Sequence, residues 1–247
     1  MSTDTAAKKP ITAQNHPILD RADRGPLLQN GDRMDADEFM RRYEASPGLK
    51  AELIDGRVYV ASPVRNSRHS VPNSSFTWWV THYAIHTPGV EPGTNGTVVL
   101  EDDNLTQPDA LLRILKSSGG QSDESDEDYI ENAPELVCEI AASSVNYDLH
   151  DKLELYCRSG VKEYIVWRVE DGEIDWFAGN EGRFEKQQPG EDGLYYSQAF
   201  PGLWLDAKAM LSGDLKTVLV KLQTGINAPE HEKFVERLES TAGERKA

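Results

Sequence analysis

Cysteine is nearly missing from this chain: 247 residues contain only Cys138 and Cys157. Two cysteines build neither a disulfide framework nor a zinc spacing. Both have apolar sequence neighbours, which reads as buried free thiols. Long hydrophobic runs are also lacking. No stretch approaches the roughly 20 apolar residues that a membrane helix requires, so no membrane span is expected. The first ten residues carry two lysines with no apolar stretch behind them, which is not a secretory pattern, and a cytoplasmic location is expected. Basic charge is in short supply, with 26 Lys and Arg against 42 Asp and Glu for a net charge of −16. Non-specific duplex affinity comes from neutralising phosphates with Lys and Arg, so this balance argues against casual nucleic-acid binding. It does not decide what happens inside a small cleft, where a bound metal ion reverses the local sign. A glycine-rich phosphate loop, a nucleophile elbow and a dinucleotide fingerprint are absent as well.

Enough apolar material remains for a core. Hydrophobic residues make up 38% of the chain, including 5 Trp, 9 Tyr and 6 Phe, which excludes a wholly disordered polymer. The pattern divides into three parts. Residues 1–33 read as a polar, disordered lead-in with net charge +1, leaving −17 on the rest. Residues 34–210 read as one folded domain, and residues 211–247 as C-terminal helices and a tail.

Within the domain, Asp35 and Glu38 make a capping-box start for a short helix that ends before Pro47-Gly48. Asp55-Gly56 is a hairpin turn between strands. Residues 67–87 read as one helix, and residues 97–100 and 109–114 as strands. Six acids among the nine residues from Asp123 to Glu131 mark residues 117–131 as a solvated loop. Residues 134–140 read as a central strand, 147–159 as a helix, and 161–169 as a further strand. Short strands then extend to residue 205, and helices over 207–224 and 229–240 close the chain. Helix, strands, helix, strand and a strand-rich extension define an α/β (α+β) domain with a mixed sheet.

Chemistry concentrates between residues 108 and 152. Asp109 opens one strand and Glu139 lies inside another, flanked by Leu136, Val137 and Ile140. A carboxylate in so apolar a strand needs a cation beside it. If the two strands are neighbours, Asp109 and Glu139 converge on one hard divalent ion, which prefers oxygen ligands. Lys152 then stands near the end of the Glu139 strand, where it can orient water or offset phosphoryl charge. A buried carboxylate paired only with Lys or Arg, and a surface Lys152 paired with Asp148, are the structural alternatives. His82 and His86 lie four apart on a helix, without a third metal ligand nearby. Trp78-Trp79, Trp167, Trp176 and Trp204 read as core or dimer-interface aromatics, with base-stacking platforms as the alternative.

The motifs Glu52-Leu-Ile-Asp-Gly56, Val60-Ala-Ser-Pro63, His69, Pro108-Asp109, Ala133-Pro-Glu-Leu-Val-Cys-Glu-Ile140, Asp148 with Lys152, Tyr156 and Gly160-Val-Lys-Glu-Tyr164 occur in that order. Together they resemble the Uma-type restriction endonuclease family, a branch of the PD-(D/E)XK nuclease superfamily. The resemblance implies a restriction-endonuclease-like mixed central sheet flanked by helices and a Mg²⁺ or Mn²⁺ site. It implies that Asp109 and Glu139 are metal ligands and that Lys152, on the following helix, replaces the lysine expected at position 141, where Ala141 stands. Glu52, His69 and Tyr156 become supporting residues. Transient binding of nucleic acid, DNA first, and a homodimer follow as expectations. A catalytically inactive binding module of the same fold and a metal-dependent hydrolase of a small phosphorylated molecule are the competing functions.

Overall fold

The computed structural model describes residues 26–101 and 104–244. The chain forms α1 (Ala36–Glu44), the hairpin β1 (Ala51–Ile54) and β2 (Arg57–Val60), then α2 (Val71–Ile85), entered through a wide π-type turn over Asn66–Ser70. Next come β3 (Val90–Gly93), β4 (Val98–Leu100), β5 (Asn104–Thr106), β6 (Ala110–Ile114), β7 (Asp123–Glu124), β8 (Ile130–Glu131) and β9 (Leu136–Ala141). Helices α3 (Val145–Leu149) and α4 (Asp151–Arg158) lead into β10 (Glu163–Arg168), β11 (Glu173–Asn180) and β12 (Arg183–Lys186). The chain closes with β13 (Tyr195–Tyr196), β14 (Trp204–Leu205), α5 (Ala207–Ser212), α6 (Leu215–Ile226) and α7 (Pro229–Glu244).

Among the described residues, the strands form two mixed six-stranded sheets and a small ribbon. One sheet runs β2-β1-β5-β4-β8-β7, the other β12-β11-β10-β9-β6-β3. In the second, β9 and β10 are parallel, joined across α3 and α4, while β6 runs antiparallel to β9. Strands β9 and β10 are buried along nearly their whole length, as expected of strands covered on both faces. One face holds the largest core cluster, in which Phe76, Trp79, Val80 and Tyr83 of α2 pack with Leu112, Cys138, Ile165 and Trp176. The other face packs Val137, Val166 and Leu111 against Leu155 and Tyr156 of α4. Strand β5 pairs with β1 and runs through Gln107 into β6, so Glu52 of β1 reaches the region of β6 and β9.

Local signals account for much of this. The Asp35 carboxylate accepts from the Glu38 amide at 2.9 Å, as the capping box requires. Asp55 and Gly56 both adopt positive φ, 49° and 70°, the turn whose twist matches a hairpin.

Several expectations are corrected. Residues 1–25 of the expected lead-in lie outside the described residues. Within its last part, Leu28 is buried and the Gly31 amide donates to Val58 O at 2.8 Å, so order begins before residue 34. The single helix over 147–159 is two helices, broken at His150, where φ is −127° and ψ −79°. The helix over 207–224 is also two, parted at Gly213 with φ 76° and restarted by the Asp214 cap. Residues 117–131 are not merely a solvated loop. They contain β7 and β8, bury Ser118 and Ser122, and press Gly120 against β6. A Cβ on Gly120 would lie 1.7 Å from Ile114 O, an impossible contact for which the backbone must shift. Gly120→Ala is therefore expected to lower unfolding free energy by about 3 kcal/mol, read as a lower urea midpoint at unchanged slope. An unaltered midpoint would show that this loop is not held against the sheet.

Candidate active site

Antiparallel pairing sets Ala110 opposite Cys138, which brings the preceding Asp109 beside Glu139. Pro108, with no amide proton to donate, precedes the strand where a ladder bond is not needed. The Asp109 side chain crosses to β9: its Oδ2 accepts from the Ile140 amide at 2.9 Å. Its Oδ1 is buried without a hydrogen bond, although His69 Nε2 lies 3.2 Å and Lys50 Nζ 3.6 Å away. His69 reaches this position from the π-type turn, a distortion that recurs at functional sites.

Glu139 is 4% exposed. Its Oε1 accepts from Lys152 Nζ at 2.7 Å and from the Tyr156 hydroxyl at 3.0 Å. Lys152 also lies 2.9 Å from Glu52 Oε1, and that same oxygen accepts from the Gln107 amide at 2.7 Å. Lys152 occupies the first turn of α4, the end of a helix that disfavours a cation. Its carboxylate partners, not its helix, hold it. The Tyr147 ring lies 5.3 Å from Nζ and stacks on Tyr59 at 4.2 Å, and both rings line this side of the cleft. Asp148 is buried as well and accepts from Ser144 Oγ at 2.5 Å.

The sequence-predicted residues Asp109, Glu139, Lys152, Glu52, His69 and Tyr156 are thus brought together. Lys152 is buried and paired with Glu139 and Glu52, not a surface lysine held by Asp148. Sequence reasoning missed Lys50, Gln107 and Tyr147. Spacing and motif single out Asp148 with Lys152 in the sequence, but as an acid pairing a surface lysine and not as part of a buried cluster. His82 and His86 do not join the site, and their rings lie against each other at 5.0 Å. Trp79 and Trp176 are core residues, and Trp167 is nearly buried.

Burial pushes the Asp109 carboxyl up, but His69, Lys50 and the Ile140 amide outweigh it and leave it below the usual range. At Glu139 burial wins: with Asp109, Asp148 and Glu52 crowding it, the carboxyl is raised well above normal despite Lys152. Burial lifts Asp148 to about 6, against the pull of Lys152 and Ser144. Burial alone would strip the proton from Lys152, but Glu139 and Glu52 reverse that and keep it charged. Both members of the Glu139–Lys152 pair move up, Glu139 chiefly through burial and Lys152 through its two carboxylate partners. Four carboxyl groups (Glu52, Asp109, Glu139, Asp148) meet only two lysines, 50 and 152, so the cluster is rich in oxygen donors and short of cations.

That imbalance and the unspent Asp109 Oδ1 fit a divalent cation. Among the described residues, no group of three or more His, Cys, Asp and Glu is disposed to hold a metal. A pair of carboxylates suits Mg²⁺, which retains much of its water and is bound by one or two carboxylates plus substrate phosphates. These groups form the floor of a cleft of about 950 Å³. Lys50, Arg65, Arg68 and His69 stand along its wall, with Glu170 ion-paired to Arg68 at 3.0 Å.

The mixed sheet sets two acids on adjacent strands and a lysine on the following helix around one cleft. The chain belongs to the Uma2 family, described as "Putative restriction endonuclease", which matches residues 36–208. In fold it is similar to the crystal structure of "a putative nuclease belonging to DUF820" from Anabaena variabilis. The TM-score is 0.51 at 15% identity, covering 72% of this chain and 99% of that one. No curated protein matches the chain. No helix among the described residues is long and apolar enough to cross a membrane.

Proposed function

We propose that this protein is a metal-dependent endonuclease that hydrolyses phosphodiester bonds of DNA, with Asp109, Glu139 and Lys152 as its central residues. The observation that carries this reading is the convergence of two buried carboxylates and a buried lysine at the floor of a cleft in whose wall Lys50, Arg65 and Arg68 also stand. The wall matters because an acidic shell slows the approach of nucleic acid. Lys50, Arg65 and Arg68 give a phosphate backbone a local landing place on an otherwise acidic molecule.

Asp109 and Glu139 would hold Mg²⁺ or Mn²⁺. When bound, such an ion polarises a phosphoryl oxygen and lowers the pKa of a water. The Ile140 amide fixes Asp109 in orientation, and Tyr156 does the same for Glu139. Lys152 keeps Glu139 and Glu52 apart and presents a fixed positive charge to the cleft floor, where it can hold a water or offset charge on the scissile phosphate. His69 and Lys50 keep Asp109 ionised and so ready to bind a cation. Tyr59 and Tyr147 line the β1 side of the cleft.

Asp109→Asn keeps the shape and the bond from Ile140 while removing the ligand charge. Titration calorimetry with Mn²⁺ is expected to show at least a tenfold loss of affinity together with loss of DNA nicking. Unchanged Mn²⁺ affinity would remove Asp109 from the metal site.

A further inference from the structure

A second cavity, about 820 Å³, runs along α2 and joins the cleft through Lys50, Val64 and His69, which line both. None of its lining residues is Asp or Glu, in a chain of net charge −16. The Trp78-Trp79 pair divides here. Trp79 is fully buried and donates to Trp204 O at 3.0 Å. Trp78 is only partly buried and faces the groove, with the His82 ring 5.8 Å away on the next turn. His82 also lines the groove, with its Nε2 buried and without a hydrogen bond. Lys50 sits at the junction, 2.7 Å from Asn95 Oδ1 and 3.6 Å from Asp109 Oδ1.

We propose that this groove is a subsite for an unpaired nucleotide next to the scissile phosphate, so that the substrate is single-stranded or locally unpaired nucleic acid. The inference rests on the nuclease reading of the adjoining cleft and names its substrate class. The groove supplies what such a nucleotide needs: an aromatic face for stacking, amide and hydroxyl groups (Asn73, Thr77) for base edges, a lysine for the phosphate, and no carboxylate to repel it. A base inside a duplex has both faces covered by its neighbours, and only an unpaired base can use Trp78 as a platform. Continuity with the cleft and the absence of acids favour a nucleotide over a protein segment as occupant.

Fluorescence anisotropy of a 5′-fluorescein dT 12-mer, measured in EDTA beside a blunt 12-base-pair duplex, tests this without relying on cleavage. Wild type is expected to prefer the single strand. Trp78→Ala should weaken that binding about tenfold, and Trp78→Phe should restore most of it. Ser74→Glu, which adds an acid at an exposed groove position, should weaken binding without burdening the fold, as circular dichroism melts would verify. Equal single-strand binding by wild type, Trp78→Ala and Ser74→Glu would overturn the subsite, as would a preference for duplex or no binding by wild type. Loss of a dimer in Trp78→Ala, seen by light scattering with oligonucleotide binding unchanged, would instead seat a second copy of the chain in the groove and overturn it too. The two readings separate cleanly. Plasmid nicking with Trp78-independent binding removes the subsite alone, whereas Trp78-dependent binding without nicking removes the endonuclease and supports the groove.

Discussion

Lys152→Met is expected to lower the melting temperature by about 10 °C and to abolish nicking. The substitution keeps much of the side chain's length but leaves Glu52 and Glu139 without the cation now 2.9 Å and 2.7 Å from them. Breaking a buried pair by removing one partner costs about 3–5 kcal/mol, and a domain of this size loses roughly 2–4 °C per kcal/mol. The loss depends on pH with a definite sign. Burial and crowding raise Glu139 well above its normal value and Asp148 to about 6 with Lys152 in place. Groups raised in the folded state stabilise it when protonated, and that contribution fades as pH climbs through their folded values. The variant should therefore be nearer wild type at pH 5.5 than at pH 8. A deficit that grows on acidification would contradict this account of the cluster. Glu139→Gln in the Lys152→Met background should recover part of the lost stability above neutral pH, because it removes a buried acid left without its cation partner.

Glu139→Gln alone is expected to separate stability from activity. The amide oxygen can still accept from Lys152 and Tyr156, which now meet Glu139 Oε1 at 2.7 Å and 3.0 Å, so the fold should persist. Without added metal its melting temperature should equal or exceed that of wild type, since an acid that resists ionisation has been replaced by a neutral group. Turnover should fall on the order of 10³-fold, the scale of losing a preorganised charge at a reacting phosphate. A large drop in melting temperature would show instead that Glu139 serves chiefly as the structural partner of Lys152.

The legible parts of the molecule are those written locally. Glu139 stood out because an acid within an apolar strand requires a reason, and the Asp55-Gly56 hairpin because two positive-φ residues in succession define its turn. The Asp109–Glu139 juxtaposition followed once their strands were taken as neighbours. What escaped depends on distant chain. Strand β3 contains Pro92 and lies at a sheet edge, where a missing amide proton costs nothing but the sequence signal is weak. Strand β5 is three residues long and owes its existence to pairing with β1 and β4. The break at His150 has neither Gly nor Pro to announce it, whereas the break at Gly213 was marked by Gly213-Asp214, a C-cap followed by an N-cap. Lys50 and Gln107 look like ordinary surface polar residues in sequence. Only the pairing of β1 with β5, which leads into Gln107 and Asp109, brings them to Glu52 and Asp109.

The most direct measurement is nicking of supercoiled plasmid by purified protein in Mn²⁺, with an EDTA lane and folded Glu139→Gln beside it. The account predicts nicking that requires the metal and disappears in the variant. Equal nicking by wild type and Glu139→Gln, or nicking that survives EDTA, would contradict it.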